Sequence, residues 1–152
     1  MIKVLFICHG NICRSPMAEY IFRKLVKNQG MEDAFEIDSA ATSNEEIGND
    51  IYPPAKRCLT AHGVPFDRHR ARRITKQYVE YFDYIIAMEQ YNIGNMERFL
   101  GPSEKFTLLL DYTDRPGNIS DPWYSGDFET VYREIEAGCK GFLEKVNSNG
   151  RN

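Results

Sequence analysis

The sequence holds no surplus of basic charge: 19 Lys and Arg stand against 22 Asp and Glu, for a formal net charge of −3. Binding along a phosphate backbone needs a basic excess, so no nucleic-acid partner is expected. Long apolar runs are missing as well. The longest, such as that over residues 4–8, fall far short of the roughly 20 residues that span a bilayer, and no membrane partner is expected. The stretch before Gly10 shows no small-residue cleavage pattern, so it does not read as a secretory signal, and a cytoplasmic location is the expectation. Cysteine is sparse: Cys8, Cys13, Cys58 and Cys139. A chain of this length needs no disulfide staples, so they read as thiols, with Cys58 and Cys139 in the core. The two clusters of paired Cys or His that mark a zinc site are lacking, and no metal is expected.

What is present suits an ordinary globular domain. With 42% apolar and 27% charged residues, the chain is neither disordered, collagen-like nor a coiled coil. One domain over 1–152 is expected, burying about 68–70% of its unfolded surface, with a tail at 147–152 that reads as frayed. The β-branched and aromatic run at 2–7 predicts a buried strand. Apolar residues at helical spacing from Met17 to Val26 predict a helix ending at Gly30, with Ser15 as N-cap, Pro16 at the first helical position and Glu19 in the first turns. Further strands are predicted at 35–40, 84–88 and 106–110, and helices at 53–62, 75–81, 89–100 and 127–146. Residues 42–50 and 111–127 read as polar loops, and the run from Arg68 to Arg73 as a solvated basic face. Strands alternating with helices predict a single α/β domain in three layers: a four-stranded parallel sheet with helices on both faces.

In such a sheet ligands bind at the carboxyl ends of the strands. The first strand delivers Cys8, His9, Gly10, Asn11, Ile12, Cys13, Arg14 and Ser15 to that edge, directly before a helix. The expectation is therefore a phosphate-binding loop after the first strand. Its backbone N–H groups converge at the helix N-terminus, and Gly10 and Asn11 tolerate the positive φ that curls the loop around an anion. Cys8 sits at the mouth, where the helix end and Arg14 favour a thiolate nucleophile. The planar fork of Arg14 suits two phosphate oxygens.

The pattern Cys-x5-Arg-Ser resembles the phosphate loop of protein tyrosine phosphatases, and CHGNICRSP is similar to the low-molecular-weight branch. The resemblance continues through DSAATS at 38–43, HRAR at 69–72, FDYI at 82–85, Asp121-Pro122 and DFETVY at 127–132, nearly the whole chain. It implies hydrolysis of phosphotyrosine and other aryl phosphates through a cysteinyl-phosphate, with no metal or organic cofactor. Cys8 would be the nucleophile, Arg14 the clamp on the transition state and Asp121 the general acid. Asn11, Ser15, Ser39 and His69 would form the supporting hydrogen-bond network, and Trp123 and Tyr124 an aromatic wall. Glu45 stands where many relatives carry an aromatic on the opposite wall. Cys13, beside Cys8 on one tight loop, suits a reversible protective disulfide. The partners implied are phosphotyrosine proteins or small aryl phosphates, with inorganic phosphate as product. A phosphoarginine phosphatase is the rival enzyme, disfavoured because Ile12 stands where that type carries Thr. Outside enzymes the rival is an inactive anion-binding module.

Overall fold

The computed structural model describes residues 1–150. Four strands, β1 (Ile2–Cys8), β2 (Phe35–Ala41), β3 (Tyr84–Ala87) and β4 (Phe106–Leu108), form one sheet in the order β2-β1-β3-β4. Every pairing is parallel, and the register sets Cys8 beside Ala41 and Ile7 beside Ala87. β1 is a central strand covered on both faces, which is why its run is continuously apolar. Val4, Phe6 and Cys8 join one core with α1 (Arg14–Asn28), α2 (Pro53–Ala61) and α6 (Phe128–Gly150). Leu5 and Ile7 point the other way, into a second core closed by α3 (Lys76–Tyr81) and α4 (Gln90–Leu100). The expected single-domain, three-layer α/β architecture is the one observed.

Several boundaries differ. β4 stops at Leu108 and the chain tightens into a 3-10 turn over Leu109–Tyr112, because α6 packs against that segment too closely for a strand to continue. A β-carbon on Gly141 would meet the Tyr112 carbonyl oxygen at 1.9 Å, and one on Gly138 would meet Leu109 Cγ at 2.4 Å. The loop expected at 111–127 contains a one-turn helix, α5 (Pro122–Ser125). α6 runs to Gly150, so residues 147–150 of the tail expected to fray are helical; Arg151 and Asn152 lie outside the described residues. No helix among the described residues is long and apolar enough to cross a membrane.

Candidate active site

β1 delivers Cys8 to the carboxyl edge of the sheet, and after five intervening residues α1 begins at Arg14. The loop between them turns on a single left-handed residue, Asn11 at φ 61°. Gly10, expected to share that role, does not adopt positive φ; it lies against Glu46, whose Cγ would be 3.3 Å from an added β-carbon. Ser15 is also used differently from expectation. The helix starts two residues earlier, Cys13 occupies the cap position without a side-chain cap bond, and the Ser15 hydroxyl serves the loop. It accepts from Asn11 Nδ2 at 2.8 Å and lies 3.0 Å from Cys8 Sγ. With its lone pair occupied by Asn11, the Ser15 proton is free to point at the sulfur. The Asn11 backbone N–H points there too, at 3.2 Å.

The network around this loop is buried and continuous. Asn11 Nδ2 also donates to Ser39 Oγ at 3.0 Å, and Ser39 in turn donates to Glu19 Oε1 at 2.7 Å. His69 Nε2 lies 2.6 Å from the Asn11 carbonyl oxygen, which as an acceptor requires the nitrogen to carry the proton. Arg72 N–H donates to Asn11 Oδ1 at 3.2 Å. Glu19, read from sequence as a helix-end charge, is instead a buried member of this network, partnered by Ser39 and Arg23. Burial pushes its carboxyl above the ordinary range despite those two partners. Its sequence signal was an acidic residue inside the apolar face from Met17 to Phe22.

Arg14 is 5% exposed. Its guanidinium donates to the Ile119 carbonyl and to Glu89 Oε1, each at 3.1 Å, and Asp121 Oδ2 lies 3.9 Å away. Burial works against its charge, but Cys8, Glu89 and Asp121 outweigh that and hold it more firmly cationic than a free arginine. Glu89, missed from sequence, caps α4 at the end of β3, so the edge that presents Cys8 also presents the carboxylate that orients Arg14. Asp121 caps α5 by accepting from Trp123 N–H at 2.9 Å through Oδ1, which leaves Oδ2 facing the loop. Burial first, and the Cys8 charge second, push the Cys13 thiol far above its ordinary value.

Loop, Arg14 and Asp121 line one cleft of about 710 Å³. Trp123 and Tyr124 stand on its rim, 64% and 88% exposed, and Trp123 leans on Tyr52 with ring centroids 5.2 Å apart. Opposite them Glu45 does not face the cleft freely: its Oε2 lies 3.0 Å from His9 Nε2. Tyr91 of α4, not singled out from sequence, also lines the cleft, with its ring 6.4 Å from that of His9. An aromatic surface therefore exists beside Glu45, supplied by a different element. In the basic run, His69 and Ala71 are buried and Arg72 pairs with Asp38, so the segment is only partly a solvated face.

Residues 3–152 match the family described as low molecular weight phosphotyrosine protein phosphatase. The human low molecular weight phosphotyrosine protein phosphatase is 43% identical over 152 residues, covering 95% of this chain and 96% of its own. The Bacillus subtilis low molecular weight protein-tyrosine-phosphatase YfkJ is 41% identical over 150 residues, 96% of each chain. A crystal structure of YfkJ aligns with TM-score 0.94 over 98% of this chain and 96% of that one. A drosophila arginine phosphatase structure aligns at TM-score 0.86 and 34% identity, over 95% of this chain and 98% of that one.

Proposed function

Since the chain belongs to the low molecular weight phosphotyrosine protein phosphatase family and is a protein tyrosine phosphatase, we propose that Cys8 is its nucleophile, Arg14 its phosphate clamp and Asp121 its general acid. The observation that carries this reading is the convergence of two hydrogen-bond donors on the Cys8 sulfur in the cleft that also holds Arg14 and Asp121. Donors aimed at a sulfur favour its anionic form. The thiolate attacks phosphorus, the S–P bond forms, the P–O bond to the aryl group breaks, and protonated Asp121 gives its proton to the leaving oxygen. Asp121, now a carboxylate, then takes a proton from water; that water attacks phosphorus, inorganic phosphate leaves and the thiolate returns. Arg14 and the amides of residues 9–15 hold the equatorial oxygens, where charge accumulates. Asn11, Ser15, Ser39 and His69 act on the loop rather than on phosphorus.

The substrates are phosphotyrosine proteins or small aryl phosphates, held between Trp123, Tyr124 and the Tyr91 side of the cleft; nucleic acid and membrane have no part in the reaction. Four unpaired thiols support a reducing, cytoplasmic setting. There Cys8 also serves as a redox switch. A peroxide converts the thiolate to a sulfenic acid, the Cys13 thiol condenses with it, water leaves, and a dithiol reductant restores both.

The similarity to an arginine phosphatase raises the second reading. Ile12, which lines the cleft, supports phosphotyrosine. Phosphate release from matched phosphotyrosine and phosphoarginine peptides, with Cys8→Ser as the blank, decides between them: preference for phosphotyrosine is expected. Turnover by Cys8→Ser would remove the nucleophile, and binding of phosphate without turnover of either peptide would make the protein an anion-binding module. Asp121→Asn should slow aryl phosphate cleavage by about 10²–10⁴-fold and flatten one limb of the pH profile.

A further inference from the structure

Behind the cleft wall, three side chains of different donor type meet between α2 and α6. Cys58, His62 and Glu129 place a sulfur, an imidazole nitrogen and a carboxylate oxygen all within 4.8 Å of one another. Cys58 is buried and His62 follows one helical turn later, so both side chains project from the same face. Glu129 arrives from the first turn of α6, and its Oε2 lies 2.8 Å from His62 Nε2. The imidazole is already oriented: it stacks on Tyr132 at 3.7 Å with 9° between the rings. Arg133 draws only the other carboxylate oxygen, Oε1, at 3.6 Å.

We propose that Cys58, His62 and Glu129 form a zinc site that clamps α2 to the start of α6. Zinc accepts sulfur, nitrogen and oxygen donors at about 2.0–2.3 Å, so tetrahedral ligand edges are roughly 3.3–3.6 Å. The three atoms reach that arrangement by opening the His62–Glu129 contact slightly and drawing the sulfur inward. Mixed donors with a thiolate select a borderline ion over Mg²⁺ or Ca²⁺, which require oxygen. His62 and Glu129 keep 30% and 49% of their side-chain surface exposed, so the ion has an entry path and water completes the fourth position. On binding, the Cys58 S–H bond breaks, the S–Zn bond forms and the proton passes to solvent; the contact from Cys58 Sγ to the Phe128 carbonyl is given up. Phe128 lines the cleft and lies beside Tyr52, so the clamp rigidifies the base of the aromatic wall.

Spacing alone does not reveal this site, because Cys58 and His62 are a single pair in sequence and the third ligand lies 67 residues beyond His62. The test is titration of the full chain with Co²⁺ and then Zn²⁺ under a phosphine reductant. It is run on the parent and on a Cys8→Ser, Cys13→Ser form that removes the loop thiols. One equivalent of Co²⁺ should give tetrahedral absorption with a thiolate-to-cobalt band in both, displaced by Zn²⁺ and not by excess Mg²⁺. Zn²⁺ should raise the melting temperature of both. Cys58→Ser should abolish the band. The surface variants His62→Gln and Glu129→Gln, whose folding is checked by their circular dichroism, should weaken Zn²⁺ by more than about tenfold. A band that vanishes with the loop thiols and survives Cys58→Ser, Zn²⁺ affinity unchanged in both surface variants, or no band at stoichiometric metal would each overturn the proposal.

Discussion

At Asn11 the backbone enters the left-handed region and every polar atom of the residue finds a partner: Cys8, Ser15, Ser39, His69 and Arg72. Asparagine tolerates that conformation better than other non-glycine residues, and its amide alone can donate to two hydroxyls while accepting a backbone N–H. Asn11→Ala should therefore destabilise the fold by roughly 1–3 kcal/mol in a denaturant titration and weaken phosphate binding, since Ser15 loses the donor that orients it. Asp50 works one step further out. Its Oδ1 accepts from His69 N–H at 3.0 Å, and Lys56 donates to Oδ2 at 2.6 Å. Burial opposes its ionised form, yet the Lys56, Ile51 and His69 bonds outweigh it and lower the carboxyl from 3.8 to about 2. A group depressed on folding stabilises above its unfolded value and loses that contribution as pH falls through the folded one. Asp50→Asn should accordingly lower the melting temperature most above pH about 4, with the gap to the parent closing toward pH about 2; a gap independent of pH would remove the charge from that account.

Among elements, α6 packs on the Leu109–Tyr112 turn through Gly138 and Gly141, neither of which has room for a β-carbon. An alanine is worth about 1 kcal/mol over glycine in a helix interior. Against that, Gly141→Ala sets a methyl 1.9 Å from the Tyr112 carbonyl oxygen, and overpacking of this kind costs about 1–3 kcal/mol. Net destabilisation is expected, read as a lowered denaturation midpoint. Gly94→Ala in α4, where an added β-carbon meets nothing within 4 Å, should instead stabilise by up to about 1 kcal/mol. The short α5 shows why a segment can hide from pattern reading. Pro122–Ser125 is too brief for apolar periodicity; the Asp121 side chain and Pro122 start it and Gly126, at φ 70°, ends it.

For the whole molecule, a site assembled only in the native state couples ligand binding to stability. Inorganic phosphate at 100 times its Kd should stabilise by about 2.7 kcal/mol, a rise of roughly 5–10 °C in melting temperature for a domain of this size. Cys8→Ser should keep that rise and Arg14→Ala should lose it. Residues 8–15 could be proposed as an anion loop from sequence because Cys8, Gly10, Asn11 and Arg14 are close together between a strand and a helix, and alternating strand and helix periods determined the layered α/β fold. Asp121, Ser39 and His69 were reachable only through family resemblance. Glu89, Tyr91 and Glu19 were decided by the tertiary structure, as was the Cys58, His62 and Glu129 cluster. Local pattern encodes which face of an element is buried and where the chain turns. The meeting of distant side chains depends on strand order and helix packing: β3 pairing beside β1 sets Glu89 against Arg14, and α2 docking on α6 sets His62 against Glu129.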